Sequence, residues 1–170
     1  MTSLYETLVP LIPYMVPLPI ILPAVAAALA LILSKYLTAQ RTITLSVLAF
    51  LIGLNATMLY VVDREGIQTL QLGGWDAPIG ITLVADRLSV SMLTVSSIVL
   101  FSVMWYAISQ GIRDGGKDEP VAVFLPTYLL LSMGVNLAFL AGDLFNLYVG
   151  FEVLLVASEK IIMATERMQK

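Results

Sequence analysis

The one ionisable group set deep within an apolar stretch is Glu152, in the segment Gly142-Asp-Leu-Phe-Asn-Leu-Tyr-Val-Gly-Phe-Glu-Val-Leu-Leu-Val-Ala-Ser158. On a helix, Phe145, Tyr148 and Glu152 stand at i, i+3 and i+7 and so share a face. A charge at the centre of a lipid-embedded helix costs roughly 2.5–3.5 kcal/mol on insertion scales. A chain that carries one there uses it for a proton or ion path, or pairs it with a partner. Desolvation raises the pKa of a carboxyl group, in documented cases to about 8–9, and a nearby Lys or Arg lowers it again. A desolvated carboxyl can therefore bind and release a proton near neutral pH. The competing reading is a protonated glutamic acid that only hydrogen-bonds a neighbouring helix.

The other polar candidates have plainer readings. Asp143 can form the mouth of an ion path, but its place just before an apolar run fits an N-cap better. Asp86-Arg87 can gate ions, but an interfacial pair opening a helix is the simpler account. Tyr148 lies one turn from Glu152 on its face, within reach of a hydrogen bond in that region. Asn55 and Asn136 fit helix–helix contacts. Ser89, Ser91, Thr94, Ser96 and Ser97 can line a wet cavity, yet small polar residues are common where membrane helices meet.

The composition requires a membrane around these groups. Hydrophobic residues make up 59% and charged residues 12% of the 170, and the mean hydropathy is +0.92. A soluble domain is nearer half apolar and about a quarter charged. Cysteine and histidine are both absent. Disulfides, cysteine–zinc sites and thiol chemistry are excluded. The commonest metal ligand and near-neutral proton shuttle is missing too. Any proton must travel by carboxylate, lysine, tyrosine, water or a partner chain. The net charge of −3 argues against nucleic-acid binding, and no glycine-rich phosphate loop is present. No cofactor or metal ligand set is expected.

Five helices are expected, over about 11–35, 42–62, 88–109, 121–141 and 143–163, in an all-α integral membrane fold. Pro10, Pro13, Pro17, Pro19 and Pro23 crowd the first run, so its regular part should begin near Pro19, after a kinked turn or two. Ala24, Ala26, Ala27, Ala28 and Ala30 suit close helix packing. Residues 63–87 form the longest polar connection. Within it, Ile67–Leu72 and Ile79–Val84 read as two short strands around the Gly73-Gly74-Trp75-Asp76-Ala77-Pro78 turn. Trp75 is expected at headgroup level, and Trp105 and Tyr106 at the other interface. Residues 1–10 carry no Lys or Arg and lack the basic start of a cleavable signal peptide. Lys35 and Arg41, Arg113 and Lys117, and Lys160, Arg167 and Lys170 put the odd connections and the tail in the cytoplasm, with the N-terminus outside.

Asp143-Leu-Phe-Asn-Leu-Tyr-Val-Gly-Phe-Glu152 resembles the fifth-helix signature of the proton-translocating, antiporter-like subunits shared by respiratory complex I and the Mrp-type multisubunit sodium/proton antiporters. Gly73-Gly-Trp-Asp-Ala-Pro-Ile-Gly-Ile-Thr-Leu-Val-Ala-Asp-Arg-Leu-Ser89 looks like the strand-and-turn segment before the third helix in that family. With the Phe-Glu-Val-Leu-Leu-Val-Ala-Ser ending, the chain is most similar to the D-type subunits of the Mrp branch, over about residues 12–158. The resemblance implies a multi-pass subunit in the cell membrane that moves protons against a monovalent cation, beside other subunits, with no enzymatic activity of its own. It implies that Glu152 takes part in proton translocation and pairs with a lysine on a later helix, which has no counterpart here. From Glu159 onward, Glu-Lys-Ile-Ile-Met-Ala-Thr-Glu-Arg-Met-Gln-Lys departs from the family pattern. We therefore expect 1–158 to be the N-terminal transmembrane part of such a subunit. Residues 159–170 would be an atypical polar tail left by truncation or a frameshift. The alternatives are a proton-pumping subunit of an NADH–quinone oxidoreductase, whose enzymatic activity would belong to the whole complex, and a non-catalytic assembly subunit.

Overall fold

The computed structural model describes residues 12–72, 80–110 and 123–168. Among them lie α1 (Ile12–Met15), α2 (Leu18–Ile32), α3 (Leu37–Glu65), β1 (Gln68–Leu72), β2 (Ile81–Ala85), α4 (Arg87–Ser109), α5 (Phe124–Leu140) and α6 (Leu144–Met168). The chain is mostly helical with one two-stranded antiparallel sheet. Helices α3 and α4 are long and apolar enough to cross a membrane, and α2 and α5 are shorter apolar helices. Trp75 and its turn, the connection at 111–119 and residues 1–11 lie outside the described residues.

The first expected helix is two segments. Pro17 stands at the N-cap of α2 and Pro19 within its first turn, where a missing N–H costs nothing. Pro23 sits inside α2 and removes one bond from its ladder. Helix α3 begins at Leu37 rather than near residue 42, because Gln40 is drawn into the structure. Its side-chain amide donates to the Ala30 carbonyl at 2.7 Å, back across the α2–α3 turn. Helix α6 passes straight through Glu159 and Lys160 to Met168; both are good helix formers, and both are exposed.

In the sheet, β1 and β2 pair in the register Leu70↔Leu83, with Gln68 opposite Ala85 and Leu72 opposite Ile81. Leu83 and Ala85 alternate inward on β2 and are fully buried. They meet a core of Leu48, Leu51, Val61 and Val62 from α3, Val90 and Leu93 from α4, and Leu140 from α5. A second cluster joins Ala26, Ala27 and Ala30 of α2 to Leu129 of α5. In lipid such contacts gain little from excluding water, so close packing and interhelical hydrogen bonds must hold the helices together. Helix α5 lies at the centre, packed against α2, α4 and α6.

Candidate functional site

The site is built on α6, whose start is fixed by the turn before it. Asp143 Oδ1 accepts the Asn146 backbone N–H at 2.8 Å. The Asn146 side-chain amide donates to Asp143 Oδ2. The Asn146 backbone bond, above all, holds the Asp143 carboxyl below the usual carboxylate range, as expected where an anion accepts N–H groups at a helix start. The N-cap reading of Asp143 therefore describes its geometry.

Glycine fixes the rotation of α6. A Cβ at Gly150 would lie 2.9 Å from the Ala138 backbone nitrogen, and one at Gly134 would lie 2.9 Å from the Leu154 nitrogen and 3.1 Å from the Gly150 carbonyl oxygen. The obstructing atoms are backbone, so α5 and α6 touch main chain to main chain. Asn146, Gly150 and Ala157 form the buried stripe of α6. Glu152 follows Gly150 by two residues, about 200° around the helix at 3.6 residues per turn. Closing the glycine face on α5 therefore turns the carboxylate away from the other helices.

Glu152 lies about 12 Å along α6 from Leu144 at 1.5 Å per residue. It is exposed, and so are its neighbours Phe145 (72%), Tyr148 (61%) and Leu155 (58%). The three residues expected on one face do share it, but that face is open: the described helices do not cover it. Tyr148 lies one turn earlier on the same exposed face. Among the described residues, no Lys or Arg stands in ion-pair contact with Glu152, and none of the Asp and Glu form a metal-binding cluster.

The remaining candidates divide clearly. Asp86 and Arg87 do not pair with each other. Asp86 caps α4, accepting the Ser89 backbone N–H at 2.6 Å while its own N–H donates to Ser89 Oγ at 2.9 Å, a capping box. The Ser89 backbone bond holds its carboxyl below the usual range. Arg87 reaches back to the end of α3 and pairs with Asp63 at 3.0 Å. The pair is largely exposed, which makes it worth little. Asn55 donates to Ser97 Oγ at 2.8 Å and to the Leu93 carbonyl at 3.3 Å, joining α3 to α4. Ser91, Thr94, Ser97 and Ser102 turn their hydroxyls onto carbonyls four residues back in α4. This satisfies them within the helix rather than in a cavity.

Asn136 does more than join two helices. Its Nδ2 donates to the Pro19 carbonyl at 2.7 Å. That carbonyl would normally accept the N–H four residues on, which is Pro23 and has none. Asn136 thus replaces the bond that proline removes. The sequence shows the proline, the asparagine and the Gly134-to-Ala138 spacing that permits close approach. It does not show that they meet.

No family model matches the chain. It is 40% identical over 115 residues to the D-type subunit of a Na(+)/H(+) antiporter from Alkalihalophilus pseudofirmus, a match that covers 66% of this chain and 22% of that protein. It is 36% identical over 131 residues to the like-named protein of Bacillus subtilis, covering 77% of this chain and 26% of the relative. In fold it matches a chain of the solved Mrp complex from Dietzia sp. DQ12-45-1b with a TM-score of 0.79 and 26% identity, over 87% of this chain and 26% of that one. The chain spans about a quarter of the length of these relatives. On this similarity it belongs to the family of sodium/proton antiporter D-type subunits.

Proposed function

We propose that this chain is the part of a cation/proton antiporter subunit that carries the fifth-helix carboxylate, and that protons pass by way of Glu152. The observation that carries the reading is the open face of α6: one carboxylate a turn from a tyrosine, with Phe145, Phe151 and Leu155 exposed around it. Lipid alone would make that carboxylate costly. A proton path, or further helices facing it, gives it a use. In this reading the helices cross the cell membrane five times, with α1 and α2 as one broken span and the N-terminus outside. Residues 1–158 are the transmembrane part and 159–170 an atypical polar tail, helical over its described part to Met168. Other subunits of a multisubunit complex, the bilayer, protons and a monovalent cation are the partners. The whole assembly transports; this chain alone does not catalyse a reaction.

The test is ion-driven proton flux in inverted vesicles from a strain lacking its own antiporters. The chain is expressed alone, with the remaining Mrp-type subunits and the rest of a D-type subunit supplied from a relative, and in each case with Glu152→Gln. Flux that needs the other subunits and disappears with Glu152→Gln supports the proposal. Glu152→Gln that leaves flux intact overturns the role of Glu152. If the same change instead dissolves the complex, the carboxylate is an assembly contact, the second reading that its exposed position allows.

A further inference from the structure

We propose that the two-stranded sheet is a latch on the α5–α6 turn: the Thr82 backbone and the Asp143 carboxylate together set the height of α6, and so the depth of Glu152. In an antiparallel sheet a residue directs its N–H and C=O to the same edge. Thr82 directs both away from β1, toward the turn. Its carbonyl accepts the Gly142 N–H at 2.9 Å, and its N–H is among the backbone groups that help to hold the Asp143 carboxyl low. The neighbouring Leu83 forms a bridge with Ala141. The turn thus adds a short third rung to the sheet on the edge opposite β1.

Two further features make the contact specific. Glycine is the only residue type that fits at 142, since a Cβ there would lie 2.7 Å from Val84 Cγ2 and 2.9 Å from the Thr82 carbonyl oxygen. Asp143 faces both sides at once: its carboxylate accepts the backbone N–H and side-chain amide of Asn146 in the first turn of α6, and Gly142, its neighbour in the chain, donates its N–H to the Thr82 carbonyl on β2. An ordinary N-cap would touch only its own helix. Strand β2 runs directly into the Asp86 cap of α4. One strand therefore registers the starts of α4 and α6 against each other. Asp143 and Gly142 are positioning residues that act through α6. Their purpose rests on the reading of Glu152 given above; their geometry does not.

The test uses the whole chain in lipid nanodiscs, and needs no transport. Amide hydrogen exchange is compared between the parent and Asp143→Ala, with Asp143→Asn as the conservative variant. The latch predicts that Asp143→Ala speeds exchange roughly fivefold, the size of a lost cap, at β2 and at the start of α6 together, and that Asp143→Asn restores much of it. Because the chain has no cysteine, a nitroxide at Glu152→Cys labels one site. Its immersion depth should shift by a residue's rise, about 1.5 Å, or more when Gly142→Ala is added. Faster exchange confined to residues 144–147, or an unchanged depth at 152, would reduce Asp143 to a simple cap and overturn the proposal. Loss of flux in Glu152→Gln, or its retention, bears on the function of Glu152 and leaves this result untouched.

Discussion

The two faces of α6 are built to opposite ends. On one, Gly150 presses against Ala138 and Gly134 against Leu154, with no room for a Cβ. On the other, Phe145, Tyr148 and Leu155 stand more than half exposed around Glu152. The closed face has no polar side chain beyond Asn146, which is taken up by the cap. The open face holds the one carboxylate deep in the apolar part of the helix. Stability is thus concentrated on one side, and the other is left free for a use that packing does not explain. Residues of the closed face should govern folding, and those of the open face should govern activity.

The largest break in this contrast should come from Gly150→Leu. Overpacking a tight site costs typically about 1–3 kcal/mol, and the upper end is expected where the obstruction is backbone. Thermal unfolding in detergent should show a clear loss, shared by Gly134→Leu. Next is Asn136→Leu, which leaves the Pro19 carbonyl buried without a partner, at about 1–3 kcal/mol. In a Pro23→Ala background the carbonyl regains a helical N–H, so the same change should cost measurably less. A double-mutant cycle reads that coupling directly.

Smaller effects should follow from the caps. Asp86→Ala should cost about 1 kcal/mol. Both Asp86 and Asp143 have folded pKa values depressed by the N–H groups they accept. Their contribution is therefore fully present above the unfolded pKa of about 3.9 and is lost as pH falls through the lower folded values. Unfolding curves from about pH 5 down to about pH 2 should show that loss in the parent and less of it in the alanine variants. The smallest stability effect belongs to the open face: Glu152→Gln keeps the side chain's size and removes no contact between the described helices, so it should lie within about 0.5 kcal/mol of the parent.

Much of this was legible in the residues. The alternation of Leu83 and Ala85 marks a strand with one buried face, and Pro17, Pro19 and Pro23 mark the break in the first run. The spacing of Phe145, Tyr148 and Glu152 gives their common face. Other features were beyond the sequence because they depend on distant partners. Arg87 bonds to Asp63 rather than to its neighbour, since the N-cap aspartate turns its carboxylate back to the Ser89 N–H. Gln40 lengthens α3 by bonding to Ala30 on a different helix. Glycine at 134, 142 and 150 is equally compatible with flexibility and with close contact until the opposing backbone is in view. Whether Glu152 would be covered was not readable either, because burial belongs to the packing of every helix around it.

The most direct measurement is thermal unfolding and ion-driven proton flux of Glu152→Gln, made on the same preparation of the chain with its partner subunits. Unchanged unfolding with flux abolished is the predicted result, and it would place function on the open face of α6 and stability on the closed one. Flux that persists, or that falls only in step with a lost melting transition, would contradict the account.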